Sequence, residues 1–391
     1  MNATEAQTTT APGGAAPPPD GARESMGENL RRRIDRVKGD GWGDVLFVPG
    51  VLVALIIYLS VVNEFFLTSL NITNIALQAA TLAIVAFGLS FVIFAGELDL
   101  SVGAGVALVS VVSATVMRDT GSIPLGVGAA VAVGAALGVA NGLIVTKLRV
   151  PSFIATFGML TIVQGIALAM TDAATVSGVP ESLGNLANEG FIIRWALWLV
   201  VGVFVALFFV QTQTSFGVRV FAVGGNREAS RLSAIPVDRI ILMTFVITGI
   251  CVGIGGLILT SRVQSGQPNA GGLLALTAIA AIVVGGNNLL GGRGSISRTL
   301  WGVLLLAVLE NGLQLEGVND DIQRIVIGSV FIAAASAEFF RRQLRRRARQ
   351  AEEAELIAIA GVGVGAGAAA VSGRPPAADG GQSGGDKPTK S

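Results

Sequence analysis

Apolar runs, separated by short polar connections, dominate the chain from residue 45 to residue 340. A hydrocarbon core about 30 Å thick needs about 20 residues of α-helix at about 1.5 Å each. The runs at 45–63, 74–95, 99–117, 122–145, 152–171, 192–210, 240–260, 271–287, 296–312 and 323–340 therefore read as ten transmembrane helices. The predicted fold is all-α, a polytopic membrane protein with about ten spans. Frequent glycine also admits broken or re-entrant helices, provided that the freed backbone groups are buried in protein or line a cavity.

The ends read differently. Residues 1–40 begin with Ala, Pro, Thr and Gly and lack a charged stretch followed by an apolar one, so they are expected to be a disordered tail and not a signal peptide. Residues 346–391 pass from acidic to Ala/Gly-rich to Pro/Gly/Ser-rich sequence and are expected to be a second disordered tail. Leu356–Val371 is apolar but carries four glycines and no bulky anchor, a poor eleventh span. The membrane domain is placed at 41–345.

Composition agrees with the pattern: 52% of residues are hydrophobic, 14% are charged, and the mean hydropathy is +0.69. The net charge of +1 conceals an uneven distribution. On one side, the connections and the stretches flanking the first and last spans hold 19 basic residues, among them Arg31, Arg32, Arg33, Lys147, Arg149, Arg293 and the arginines of Arg341–Arg349. The other side has Arg118, Arg194, Arg262 and Arg324. Positively charged connections are retained in the cytoplasm, so both termini are expected there. Nothing in this distribution points to a nucleic-acid partner.

Several enzyme classes are excluded. Histidine is absent and Cys251 is the sole cysteine, set in an apolar run where packing is its expected role. No catalytic residue and no metal site are expected. No G-x-x-x-x-G-K-[ST] occurs to cradle phosphates, so the chain itself should not hydrolyse ATP.

Four features interrupt or mark the apolar pattern. Thr214–Ile240 is a long connection with Arg219, Arg227, Arg231 and Arg239, equally readable as a solvated basic loop or a docking site for a soluble partner. Within it Gly224 and Gly225 allow a turn, and Glu228, Ala229 and Leu232 can share one face of a short helix. Ala95–Gly105 places Glu97 and Asp99 in apolar surroundings, where a carboxylate is costly. Asp99 with Ser101 can cap a following helix or lie on a transport path. Between residues 270 and 299, paired glycines flank Asn287, Asn288 and Arg293 and suit a tight turn. Finally, Gly126, Gly128, Gly134 and Gly138, with Gly249, Gly253 and Gly256, read as helix-packing surfaces.

Polar residues within the apolar runs that can meet a hydroxyl-rich solute include Gln78, Asn141, Thr156, Gln164, Asn287, Asn288 and Asn311. Hydrogen bonding between helices is the competing reading for each. The candidate path comprises Glu97, Asp99, Ser101, Thr156, Gln164, Asn287, Asn288 and Asn311.

AGELDLSVG, VPSFIATFGMLTIVQGIAL, FGVRVFAVGGNREASRLSAI and AIAAIVVGGNNLLGGRGSI together resemble the ordered landmarks of permease subunits of ribose- and xylose-type ABC sugar importers. The resemblance covers about residues 45–342. It implies a permease domain over 41–345 that moves a monosaccharide across a bacterial cytoplasmic membrane by alternating access. The implied partners are a second permease subunit, identical or homologous, a cytoplasmic ABC ATPase, an extracytoplasmic sugar-binding protein, and membrane lipid. No cofactor is expected on this chain; ATP and Mg belong to the partner ATPase. Residues 211–239 then become the coupling loop, with Ala222, Gly224, Gly225, Asn226, Glu228, Ala229, Leu232 and Ile235 meeting the ATPase.

Two departures accompany the resemblance. Ala275-Leu276-Thr277 stands where relatives commonly have Glu-Leu-Asp, and Ala234 replaces a usual glycine before Ile235. The first leaves other solutes open: a nucleoside, a branched-chain amino acid or a furanone-like signal. An ion-coupled secondary transporter is a further alternative, disfavoured by scarce buried acids and absent histidine.

Overall fold

The computed structural model describes residues 42–336 except 192 and 320, together with residue 343. The tails expected at 1–40 and 346–391, and the basic stretch Arg341–Arg349, lie outside the described residues. The chain divides into two units, Met1–Phe331 and Ile332–Ser391. The described residues of the second, 332–336 and 343, are helical.

In the first unit the sequence folds into helices α1 (Trp42–Val62), α2 (Ser69–Phe94), α3 (Val102–Thr120), α4 (Ile123–Thr146) and α5 (Ser152–Ala169). A 3₁₀ turn, Glu181–Gly184, leads into the short α6 (Asn185–Asn188) and then α7 (Trp195–Gln213). Next come α8 (Ser215–Gly225), α9 (Arg227–Leu232), α10 (Val237–Val263), α11 (Leu274–Val284) and α12 (Ile296–Leu315). A further helix begins at residue 321. No strand occurs among the described residues; Val176 and Gly266 form an isolated bridge.

Helix occurs in all ten expected spans, in the tenth over its described residues 323–336. Seven, α2 to α5, α7, α10 and α12, are long and apolar enough to cross a membrane. These helices make the chain a multi-pass membrane protein. The eighth expected span, 271–287, forms only the 11 residues of α11. That is about 16 Å of helix, roughly half the hydrocarbon thickness. Gly271 and Gly272 precede this half-helix, and Gly285 and Gly286 end it.

Burial separates core helices from lipid-facing ones. In its most apolar window α2 is 94% buried, whereas α7 is 11% buried. The core helix α2 packs against α10, which in turn lies along α4. Close approach of α4 and α10 depends on their small residues: a Cβ on Gly134 would overlap the Gly249 carbonyl, and one on Gly138 would overlap the Phe245 carbonyl. On α10, Gly249 meets Gly134 and Gly138, Gly253 meets Ala130, and Gly256 meets Val109 of α3. Gly126 faces Met117, but Gly128, also expected in this packing surface, has nothing within 4 Å and does not take part in it. Cys251 is buried against Gly88, the packing role expected of it.

This contrast gives a matched pair within α4. Gly134→Val is expected to lower stability by about 1–3 kcal/mol through forced separation of two backbones. Gly128→Val should change it by less than about 0.5 kcal/mol. Denaturation of the two purified variants in the same detergent checks the difference.

Candidate functional site

Three stretches singled out by their sequence meet at one end of α2. Residues 95–101, between α2 and α3, are non-helical, yet Ala95, Glu97, Asp99 and Ser101 are buried. Buried backbone away from a helix needs partners for its polar groups, and α5 supplies two. The Leu98 N–H donates to Ser152 Oγ at 3.2 Å, and the Leu100 N–H donates to Thr156 Oγ1 at 3.2 Å.

Asp99 turns the chain into α3. Its carboxylate accepts from the Ser101 N–H at 2.9 Å and the Ser101 hydroxyl at 2.6 Å. Asn141 of α4 donates to Ser101 Oγ at 2.7 Å. The cap therefore differs in detail from the simple expectation: Ser101 occupies the N-cap position without a side-chain cap bond, and Asp99 closes an Asx-type turn just before it.

The second stretch is the charged connection. Helix α8 packs on the end of α2 through Phe216 against Phe91, with ring centroids 6.1 Å apart, and Phe221 against Phe94, 5.1 Å apart. Gly224 lies where the backbones cross. A Cβ there would overlap the Phe94 carbonyl and approach the Gly292 nitrogen to 2.6 Å. Asn226 ends α8 and starts α9, its side-chain oxygen accepting from the Ala229 N–H at 2.9 Å. From the base of α9, Arg227 Nη2 donates to Glu97 Oε1 at 2.6 Å and to the Gly96 carbonyl at 3.3 Å.

Beyond this base α9 is presented to solvent. Glu228, Ala229 and Leu232 are exposed, Leu232 at 81%, while Ser230 points inward. The helix ends in a Schellman arrangement: Ala234 N–H donates to the Arg231 carbonyl and Ile235 N–H to the Ser230 carbonyl, both at 3.0 Å. Ala234 has φ +59°, so a glycine would suit this position better. Ala234→Gly is expected to raise hydrogen-exchange protection of the Ile235 amide by about fivefold, the equivalent of about 1 kcal/mol of relieved left-handed strain.

The third stretch is the glycine-rich loop after α11. The Gly292 N–H donates to the Phe94 carbonyl at 3.0 Å, and Gly291 lies against Gly96 and Gly224. Positive φ at Gly286, Gly291 and Gly292 folds the loop back on itself. Asn288 closes it locally by donating to the Gly291 carbonyl at 2.7 Å and accepting from the Leu290 N–H at 2.7 Å. Asn287 is buried and accepts from the Ser295 N–H at 2.7 Å while donating to Thr299 Oγ1 at 3.0 Å. Gln211, from the end of α7, clamps the same turn through the Gly294 carbonyl and the Ile296 N–H.

The eight expected path residues therefore do not form one wall. Asp99, Ser101 and Thr156 gather around residues 95–101, with Asn141, while Glu97 faces Arg227. Asn287 and Asn288 organise the glycine-rich loop. Asn311 exchanges amide hydrogen bonds with Asn71 at 2.8 and 3.0 Å, and Gln164 donates to the Pro268 carbonyl at 2.9 Å. The eight expected coupling residues, by contrast, form one continuous segment from Ala222 to Ile235 around α9. Sequence reasoning missed the Arg227–Glu97 pair, whose members stand 130 positions apart. The signal was present as an isolated acid in one motif and a basic residue in another.

Residues 71–335 match the family model described as branched-chain amino acid transport system / permease component. The ribose import permease protein of Bacillus subtilis (strain 168) is 38% identical, covering 78% of this chain and 96% of that protein. The ribose import permease protein of Escherichia coli (strain K12) is 36% identical, with coverages of 72% and 91%. The L-arabinose ABC transporter permease protein of Azospirillum brasilense is 34% identical, with coverages of 80% and 93%. No solved structure matches the chain. Multi-pass helices, the junction of the four motifs and a family match over more than half of the sequence lead to one assignment: the chain belongs to the branched-chain amino acid transport system / permease component family.

Proposed function

We propose that this chain is the membrane permease subunit of an ABC importer for a monosaccharide, with ribose- and arabinose-like pentoses as the first solutes to test. The observation that carries the reading is the construction of α9. It is capped at both ends and exposed on the face of Glu228, Ala229 and Leu232, while Arg227 pins its base to the buried segment 95–101. Such an element can receive a push from outside the membrane and pass it to the helices within.

In this reading α9 seats in a cytoplasmic ATPase that binds ATP and Mg, and its displacement drives alternating access. A second permease subunit and an extracytoplasmic sugar-binding protein complete the assembly. The bias of basic residues supports a cytoplasmic location for α9 and for both termini in a bacterial cytoplasmic membrane. The ribose and arabinose named for the relatives favour a sugar over a branched-chain amino acid, nucleoside or furanone.

The test is uptake into proteoliposomes containing the permease, its ATPase and its binding protein. ATP-dependent accumulation of ribose or arabinose is expected. Accumulation driven by an ion gradient without ATPase or ATP would instead identify a secondary transporter, and ATP-dependent uptake of leucine but neither pentose would overturn the solute class.

A further inference from the structure

A cavity of about 550 Å³ lies among α2, α3, α10, α11, α12 and the helix that begins at residue 321. None of the eight expected path residues lines it. Its volume is in the range, about 300–1,000 Å³, of small-molecule sites. The wall includes Gln78 of α2, Arg262 of α10, Glu310 and Gln314 of α12, and Arg324 of the helix that begins at residue 321. Charged side chains on membrane helices are tolerated when they face water, protein or a solute, and in such places they mark function.

Two further observations concern the same wall. Helix α11 starts there: Leu274 and Thr277 line the cavity, and its N-cap, Leu273, provides no side-chain cap. The first turn of this half-helix thus presents the positive end of its dipole. The same wall includes Thr81, 6% exposed, whose hydroxyl has no hydrogen-bond partner among the described residues.

We infer that this cavity is an intramembrane binding chamber for an uncharged, hydroxyl-rich solute of monosaccharide size. The inference rests on the permease reading above and gives it a location. A hydroxyl both donates and accepts, so a polyol needs both functions in its wall. Arg262 supplies donors, Glu310 supplies acceptors, and the amides of Gln78 and Gln314 supply both. Arg262 and Glu310 also interact electrostatically. Among the described residues no aromatic ring lines the chamber, so hydrogen bonds hold the solute without stacking and release it readily. Thr277, one of the positions that departs from the family pattern, is itself part of this wall.

The experiment uses Thr277→Cys and Gln314→Cys separately in the full-length chain, in right-side-out membrane vesicles. The parent chain, with only buried Cys251, is the background. A membrane-impermeant methanethiosulfonate reagent is expected to label both new cysteines. D-ribose or L-arabinose should slow that labelling by about threefold at about twice its dissociation constant, while leucine and gluconate should not. Failure of the impermeant reagent to label either position, or labelling unaffected by pentose, glucose and ribitol alike, would overturn the chamber. Equal protection by leucine or gluconate would overturn its stated selectivity. Uptake by the parent complex is measured in parallel: absent ATP-dependent pentose uptake counts against the permease reading, whereas normal uptake with unprotected cysteines counts against the chamber alone.

Discussion

Reversing a single charge, Arg227→Glu, is expected to reduce ATP-driven uptake by about tenfold or more while leaving the amount of inserted chain unchanged. Glu97 is 6% exposed and Arg227 is its partner at 2.6 Å. Removing the cation strands a buried carboxylate, an effect of about 3 kcal/mol for a well-enclosed pair. The 43% exposure of Arg227 lets water offset part of that cost. A glutamate at residue 227 adds repulsion and pushes the base of α9 away from residues 96 and 97. The double variant Arg227→Glu/Glu97→Arg should recover part of the uptake. ATP hydrolysis and uptake, measured on the same proteoliposomes, separate uncoupling from loss of assembly. Unchanged uptake per ATP in Arg227→Glu would show that this pair transmits nothing.

Gly224→Ala should be nearly as damaging, and Gly225→Ala, one position along, nearly silent. A Cβ on Gly224 would meet the backbone of Phe94 on one side and of Gly292 on the other, and backbone cannot rotate out of the way. The expected destabilisation is about 1–3 kcal/mol. It falls on the junction that joins α8, the end of α2 and the glycine-rich loop, so uptake should fall along with stability. At Gly225 a Cβ would meet nothing within 4 Å. Thermal unfolding and uptake of the two alanine variants provide the comparison. Equal behaviour would mean that the three segments separate easily and that their close approach is unimportant to the cycle.

The helices were legible because membrane burial is written in runs of apolar residues, and each of the ten expected runs contains helix among its described residues. Hydropathy did not reveal that 271–287 shortens to α11, since the apolar residues of a half-helix look like those of a full one. The glycines at either end were visible, but their effect on the backbone depends on the neighbours they meet. The segment 211–239 was legible as contiguous sequence, including the exposed face of α9, but the turn expected at Gly224 and Gly225 falls instead at Asn226, because both glycines belong to the end of α8. The segment's attachment to Glu97 was not legible, because that contact joins distant positions in a folded structure.

Polar residues were the least legible. Asn311 reads like a solute ligand in sequence, yet Asn71 satisfies it across a helix interface. Conversely, Arg262 and Arg324 read as markers of the outer side of the membrane, yet both line the cavity. A side chain's type announces what it can bond with; packing decides what it meets.

The deep burial of α2 also has a consequence for biosynthesis. Its last residue is Phe94, and α10, against which it packs, begins at Val237. At about 5–20 residues per second, a ribosome needs roughly 7–30 s to add the intervening chain. During that interval the surface destined for α10 has no such partner, and its side chains, mostly apolar with Thr81 among the exceptions, can rest against lipid. The central helix of the mature protein thus begins as an ordinary lipid-facing span and becomes interior only when the later helices arrive.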